Sequence, residues 1–187
     1  MPSPRLAARY AKSLIDLSIE KGQLEDVYAD MLWLQELCRV SPEFVSILRS
    51  PVIKPDKKQK IVKAVSSGKV REMVAGFNRL LISKNRENML PEIITAFIAS
   101  YKRHKNIHIV NLTTASAISE TIKNEIMVQV KKTAGYENIE LVTSVKKELI
   151  GGFVLQTGDQ LVDASVAYDL KYIARQFENN DFIYRLR

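Results

Sequence analysis

With 187 residues, 46% apolar and 26% charged, the chain is long and hydrophobic enough for one domain or two small ones with buried cores. A single cysteine, Cys38, excludes an internal disulfide framework and fits a reducing compartment, and seven glycines with six prolines favour long regular elements over loops. The net charge of +7 is lopsided: residues 1–105 hold 19 Lys and Arg against 11 Asp and Glu, residues 106–187 hold 9 against 10, so two units with different surfaces are expected.

The N-terminus "MPSPRLAARYAKSLIDL" threads Arg5, Arg9 and Lys12 through what a secretory signal would need as an apolar stretch. No apolar run reaches the length of a membrane span. The expectation is a soluble protein, attached to a membrane only through partners. Ser3-Pro4 reads as a cap followed by proline at the first helical position, with Gly22 as the stop. Between them Leu6, Tyr10, Ala11, Leu14, Ile15 and Leu17 recur at helical spacing. The apolar and small positions from Leu6 to Ser18 cover roughly half the helical wheel, wider than the ~100° stripe of a surface helix. Such a helix is either buried on two sides or lines a groove for a partner helix.

A second helix carries Leu24, Val27, Tyr28, Met31, Leu34 and Leu37, with Cys38 on its apolar side as a small buried hydrophobe. Ser41-Pro42 opens a short third helix bearing Phe44, Val45 and Leu48. "SPVIKP" breaks the chain, after which Ile61, Val62 and Val65 mark a fourth helix ending near Gly68. Val70, Met73, Val74, Phe77, Leu80 and Leu81 define a fifth, and Ile93, Ile94, Phe97, Ile98 and Tyr101 a sixth. Six amphipathic helices with short connections imply an antiparallel bundle.

Near residues 103–106 the period changes. Ile107, Ile109 and, after one irregularity, Leu112 read as a strand. Ser119 can cap a helix bearing Ile122, Ile126 and Val130, stopped at Gly135. Ile139, Leu141, Thr143 and Val145 alternate as another strand, and Val166, Leu170, Ile173 and Phe177 return to helical spacing. Residues 106–187 are therefore expected to form a small α/β domain with a β-hairpin, after an all-α six-helix bundle over residues 1–105.

Between the last two elements lies "LIGGFVLQTGDQLVDASV", with three of the seven glycines. A phosphate loop needs glycines leading into a helix N-terminus and a cation at the phosphates. Here Asp159 stands where the lysine belongs, and a strand pattern follows. Gly158-Asp159 instead suits a two-residue hairpin turn, setting Leu155 opposite Val162 and Phe153 opposite Ala164. Gly151-Gly152 then marks a bend or a close backbone approach.

Other chemistry finds little footing. His104 and His108 are four apart but straddle a helix-to-strand boundary and lack partners for a metal site. No nucleophilic triad, cofactor loop or metal cluster is expected, and Glu25-Asp26 reads as a solvated pair. "KPDKKQKIVK" places Lys54, Lys57, Lys58, Lys60 and Lys63 around an intact apolar stripe, as a solvated helix face does. A basic module that binds nucleic-acid phosphates is the alternative reading, although the aromatics of this half fall on apolar stripes and form no base-stacking platform.

The stretches "RYAKSL", "NRENMLPEI", "IVNLTTASAISE" and "LIGGFVLQTGDQLVDASVAYDLKYIARQF", in this order and spacing, resemble the F-type ATP synthase delta subunit family, called the oligomycin-sensitivity-conferring protein in mitochondria. Here "VKKELIGG" has Lys146 and Lys147 where the family often has an acidic residue, and "NNDFIYRLR" extends past the family's usual end. The resemblance implies a non-catalytic peripheral-stalk subunit that couples rotation to ATP synthesis by hydrogen-ion transport. Residues 1–105 would grip the N-terminal helix of an alpha subunit, and residues 106–187 the b-type stalk subunits. By position in the family, the groove between the first and fifth helices nominates Tyr10, Leu14, Phe77, Leu80 and Leu81. Gly151, Gly152, Gly158 and Asp159 are nominated as structural hairpin residues. Neither nucleic acid nor cofactor is implied, and the location implied is the cytoplasmic face of a bacterial inner membrane.

Overall fold

A computed structural model describes residues 4–136, 138–158 and 160–178. The chain divides into two compact units, one ending at His104 and one beginning at Lys105. The first is helical and the second combines helices with a four-stranded mixed sheet.

The helical unit runs α1 (Pro4–Glu20), α2 (Leu24–Val40), α3 (Pro42–Arg49), α4 (Pro55–Ser66), α5 (Glu72–Ser83) and α6 (Leu90–His104), with a 3₁₀ turn at Glu87–Met89. Prolines at the starts of α3 and α4 stand where a helix has no use for an N–H. Ser41 makes no side-chain cap, and Ser3 lies outside the described residues. α6 is apolar through Ile93, Ile94, Phe97, Ile98 and Tyr101, all buried, because it lies against both α1 and α2. Around it Leu14, Val27, Met31, Leu34, Val74 and Leu81 close the core. Each such side chain contributes about 1.5–3 kcal/mol by leaving water. Tyr101 stacks on Tyr28, ring centroids 3.7 Å apart, and its hydroxyl donates to Glu25. Burial first, then that bond to a carboxylate, push the Tyr101 phenol up to about 12.

Three buried charges hold α4 and α5. Asp30 of α2 is buried and accepts the Arg71 backbone N–H at 2.7 Å, just where α5 begins, while Arg71 also bridges Asp26 at 2.8 Å. Lys58 of α4 overturns the expectation of a uniformly solvated lysine face. It is 4% exposed, donating to the Leu48 carbonyl at 2.8 Å and to Glu87 Oε1 at 2.6 Å. The row facing inward is Lys58, Val62 and Ser66, each one turn apart, and Val65 of the expected stripe is exposed. A buried ammonium is tolerated only where a carboxylate and a carbonyl replace its water, and both are present.

The second unit runs β1 (Ile107–Thr114), α7 (Glu120–Ala134), β2 (Asn138–Val145), β3 (Gly152–Thr157), β4 (Gln160–Ser165) and α8 (Val166–Glu178). The strand order is β2-β1-β3-β4, with β1 parallel to β2 across the α7 crossover and antiparallel to β3. The Ser119 side chain accepts the Ile122 N–H at the start of α7, and Gly135 ends the helix in the left-handed conformation. In β1 the buried residues are Val110, Leu112 and Thr114, whereas Ile109 is exposed. The expected set of Ile107 and Ile109 is one residue out of phase, and side chains of a strand change face at every residue. The irregularity noted before Leu112 is this phase shift.

β3 and β4 pair with Leu155 opposite Val162 and Phe153 opposite Ala164. Gly158 closes the turn at φ +54°, with open space around it; Asp159 lies outside the described residues. Entry to β3 is tighter. Ile150 takes φ +65°, costly for a β-branched residue, and Gly152 follows at φ +73°. A Cβ on Gly152 would stand 2.1 Å from the Ala164 carbonyl oxygen, an overlap no rotamer relieves.

The two turn glycines therefore separate in their tolerance of alanine. Gly152→Ala should destabilise the second unit by more than about 3 kcal/mol, and Gly158→Ala by about 1–2 kcal/mol, the cost of a side chain at positive φ alone. Denaturant unfolding followed through the sheet signal measures both.

Candidate partner-binding groove

α1 uses its wide apolar arc in two ways. One side, Ala7, Ala11, Leu14, Ile15 and Ser18, is buried within the unit. α1 packs most extensively against α6, and the small residues Ala7 and Ala11 lie on its buried side. The adjoining side carries Leu6 and Tyr10, both half-buried, and Leu17, exposed. These three follow at spacings of four and seven, so they form one row. Across from it α5 presents Met73 and Phe77, half-buried, and Leu80, 44% exposed. The Tyr10 and Phe77 rings meet edge to face at a centroid distance of 6.4 Å. Two partly exposed apolar rows thus meet at one aromatic pair, and they are the candidate for a groove.

Depth divides the five nominated residues. Tyr10, Phe77 and Leu80 reach the surface, where a partner can touch them. Leu14 and Leu81 are 2% and 1% exposed and lie beneath, as part of the core. Helical spacing alone could not separate the two sets, because α6 seals one side of the arc. Leu6, Leu17 and Met73 continue the same partly exposed rows beyond the nominated residues. Their signal was available: each falls one or two turns from Tyr10 or Phe77 on the flank away from the buried row.

The second unit leaves more apolar surface open. Val166, Leu170, Ile173 and Phe177, the expected face of α8, are all exposed, and so are Tyr168 and Tyr172 on the other side of the helix. A hollow of about 220 Å³ lies between Gln129, Val130 and Thr133 of α7 and Phe153, Leu155 and Val162 of the hairpin. Exposed apolar surface is characteristic of interaction sites.

Chemistry is sparse among the described residues. A hollow of about 420 Å³ lies between α4 and α5, lined by none of the nominated residues. It is lined by Val62, Lys63, Ser66, Asn78, Arg79 and Ile82 among others, a mixed set without a nucleophile beside a base. Asn78 is buried there with neither amide atom hydrogen-bonded in the chain. His104 ends α6, and His108 sits in β1 stacked on Tyr136 at 3.7 Å, so the pair shares no face. Burial and then the nearby Glu92 charge raise the Cys38 thiol, which keeps it protonated and unreactive. With Lys58 inside, the α4 cluster also presents one cation fewer to any polyanion.

The sequence model of the ATP synthase delta (OSCP) subunit family matches residues 6–177. The chain is 34% identical to ATP synthase subunit delta of Cytophaga hutchinsonii over 177 residues, 95% of this chain and 96% of the relative. It is 34% identical to that of Parabacteroides distasonis, covering 90% and 93%. It is 33% identical to that of Prochlorococcus marinus, covering 87% and 90%. A chain of the Toxoplasma gondii mitochondrial ATP synthase hexamer shares the fold, with a TM-score of 0.70 at 24% identity over 92% of this chain and 97% of that one.

Neighbouring leucines of α5 test the groove's outline in the isolated protein. Leu80→Asp should cost about 1–2 kcal/mol, since its side chain is partly in water and the loss is mainly of helix propensity and an ill-placed charge in the last turn. Leu81→Asp should cost several kcal/mol, roughly 3–5, by burying an unpaired carboxylate. Thermal melts of the two variants give the comparison.

Proposed function

Because the chain belongs to the ATP synthase delta (OSCP) subunit family, we propose that its two units make separate attachments within the enzyme. The protein is a structural subunit of the peripheral stalk of an F-type ATP synthase, and catalysis belongs to other subunits. A stalk works by resisting torque: it stops the catalytic head from turning with the rotor, so that rotation deforms the catalytic sites. Such a part needs extensive, specific contacts and no reactive groups.

In this reading the helical unit acts as a six-helix bundle whose α1–α5 groove receives the amphipathic N-terminal helix of an alpha subunit. The observation that carries the assignment is the split in α1, one flank sealed in the core and the other exposing Leu6, Tyr10 and Leu17 opposite Phe77 and Leu80. A helix laid there covers apolar side chains that otherwise face water, and Tyr10 and Phe77 offer rigid rings that lose little entropy on binding. The second unit, through α8 and the hairpin, holds the b-type stalk subunits. Among the described residues no helix is long and apolar enough to cross a membrane. The subunit then sits at the cytoplasmic face of a bacterial inner membrane, held there through its partners.

Paired pull-downs with the alpha-containing head and with the b-type subunits test this division on the full chain. Tyr10→Ala and Leu80→Asp should weaken head binding, by about tenfold and more than about a hundredfold, and leave stalk binding intact. Ile173→Asp should do the reverse. Loss of both attachments in a variant that is still folded, or of neither, would show that the surfaces are wrongly assigned.

A further inference from the structure

Asn78, midway along α5, is 3% exposed, and neither atom of its amide has a hydrogen-bond partner in the chain. Protein interiors rarely tolerate polar groups left in that condition. A buried carboxylate shares it. Glu87, in the 3₁₀ turn after α5, accepts from Lys58 at 2.6 Å through Oε1, while its Oε2 is buried without a partner.

These two residues wall one small cavity together with Leu48, Val62, Leu81, Ile82 and Leu90. The five others are apolar, so an occupant finds its side-chain hydrogen-bond partners in Asn78 and Glu87. The cavity measures about 10 Å³, the size of a single water molecule. Val62, Asn78 and Ile82 also line the hollow between α4 and α5, and so stand between that hollow and the cavity. Solvent lies one side chain away without touching the amide atoms of Asn78.

Charge decides what fits. A cation would have to share the Glu87 carboxylate with the Lys58 ammonium, already at 2.6 Å from its other oxygen. An anion would meet the carboxylate itself, and an apolar occupant would leave every one of these polar atoms unpaired. A neutral molecule that both donates and accepts is required, and the volume restricts it to water. We infer that the cavity is a binding site for one structural water, which donates to Glu87 Oε2 and bonds to the Asn78 amide. Its second hydrogen reaches Asn78 Oδ1, or its oxygen accepts from Nδ2. Lys58, Glu87, the water and Asn78 then form one connected polar network that ties α4, the turn and α5 through the interior. The site is independent of which partners the two units hold.

Nuclear magnetic resonance on the isolated, nitrogen-15-labelled full chain tests the site. The Asn78 side-chain amide should show cross-peaks to water, with the rotating-frame sign of through-space contact and not of hydrogen exchange. Their laboratory-frame sign should be that of a water tumbling with the protein. Asn78→Leu replaces the amide with an apolar group of similar size. Oxygen-17 relaxation dispersion should count one long-lived water fewer in this variant than in the wild type. Should Asn78→Leu fail to fold, the wild-type cross-peaks decide alone. An Asn78 amide without such cross-peaks, or an unchanged count in a folded Asn78→Leu, would overturn the inference.

Discussion

The meeting of Tyr10 with Phe77 depends on where α5 is placed, and α5 is held at both ends by carboxylates shielded from water. At its start the buried Asp30 accepts the Arg71 N–H. Just beyond its end Glu87 meets Lys58 in the interior. A buried carboxylate without its partner costs several kcal/mol, so each contact specifies position more strongly than it adds stability. Apolar contacts alone would let α5 slide or rotate with a modest change in buried area. With its ends fixed, Phe77 meets the Tyr10 ring and Leu80 faces outward beside Leu81 facing in.

The second unit reaches definition by another route. Its described core is small, with Val110 and Leu112 as its buried apolar residues, and its order comes from backbone pairing along four strands. Gly152 matters there because the Ala164 carbonyl occupies the place of its missing side chain. A sheet unit with a thin core leaves α8 and the hairpin with apolar faces uncovered. Both units thus carry unfinished apolar surface, in one as a groove over a sealed interior and in the other as an open helix face.

Much of this architecture is legible in the sequence because it is local. Stripes at three- and four-residue spacing mark the helices, and alternation around Gly158 places Leu155 against Val162. What was not legible depends on residues far along the chain. Lys58 reads as a surface lysine until Glu87, 29 positions later, is brought to it. Ile109 and Val110 are equally good strand residues, and only the neighbouring strands decide which faces inward. In the candidate groove, the five residues that the family pattern nominates lie at two depths. Leu14 and Leu81 differ from Tyr10 and Leu80 only through their distance from α6 and the core.

The central claim is that the head is gripped by the flank shared by α1 and α5. Amide hydrogen exchange of the full chain, alone and with the alpha-containing catalytic head, addresses it directly, since a seated helix slows the local opening of the helices it covers. The account predicts slower exchange along α1 and α5 when the head is added, with β3, β4 and α8 unchanged. Slowing confined to α8 and the hairpin, with α1 and α5 exchanging as in the free protein, would contradict it.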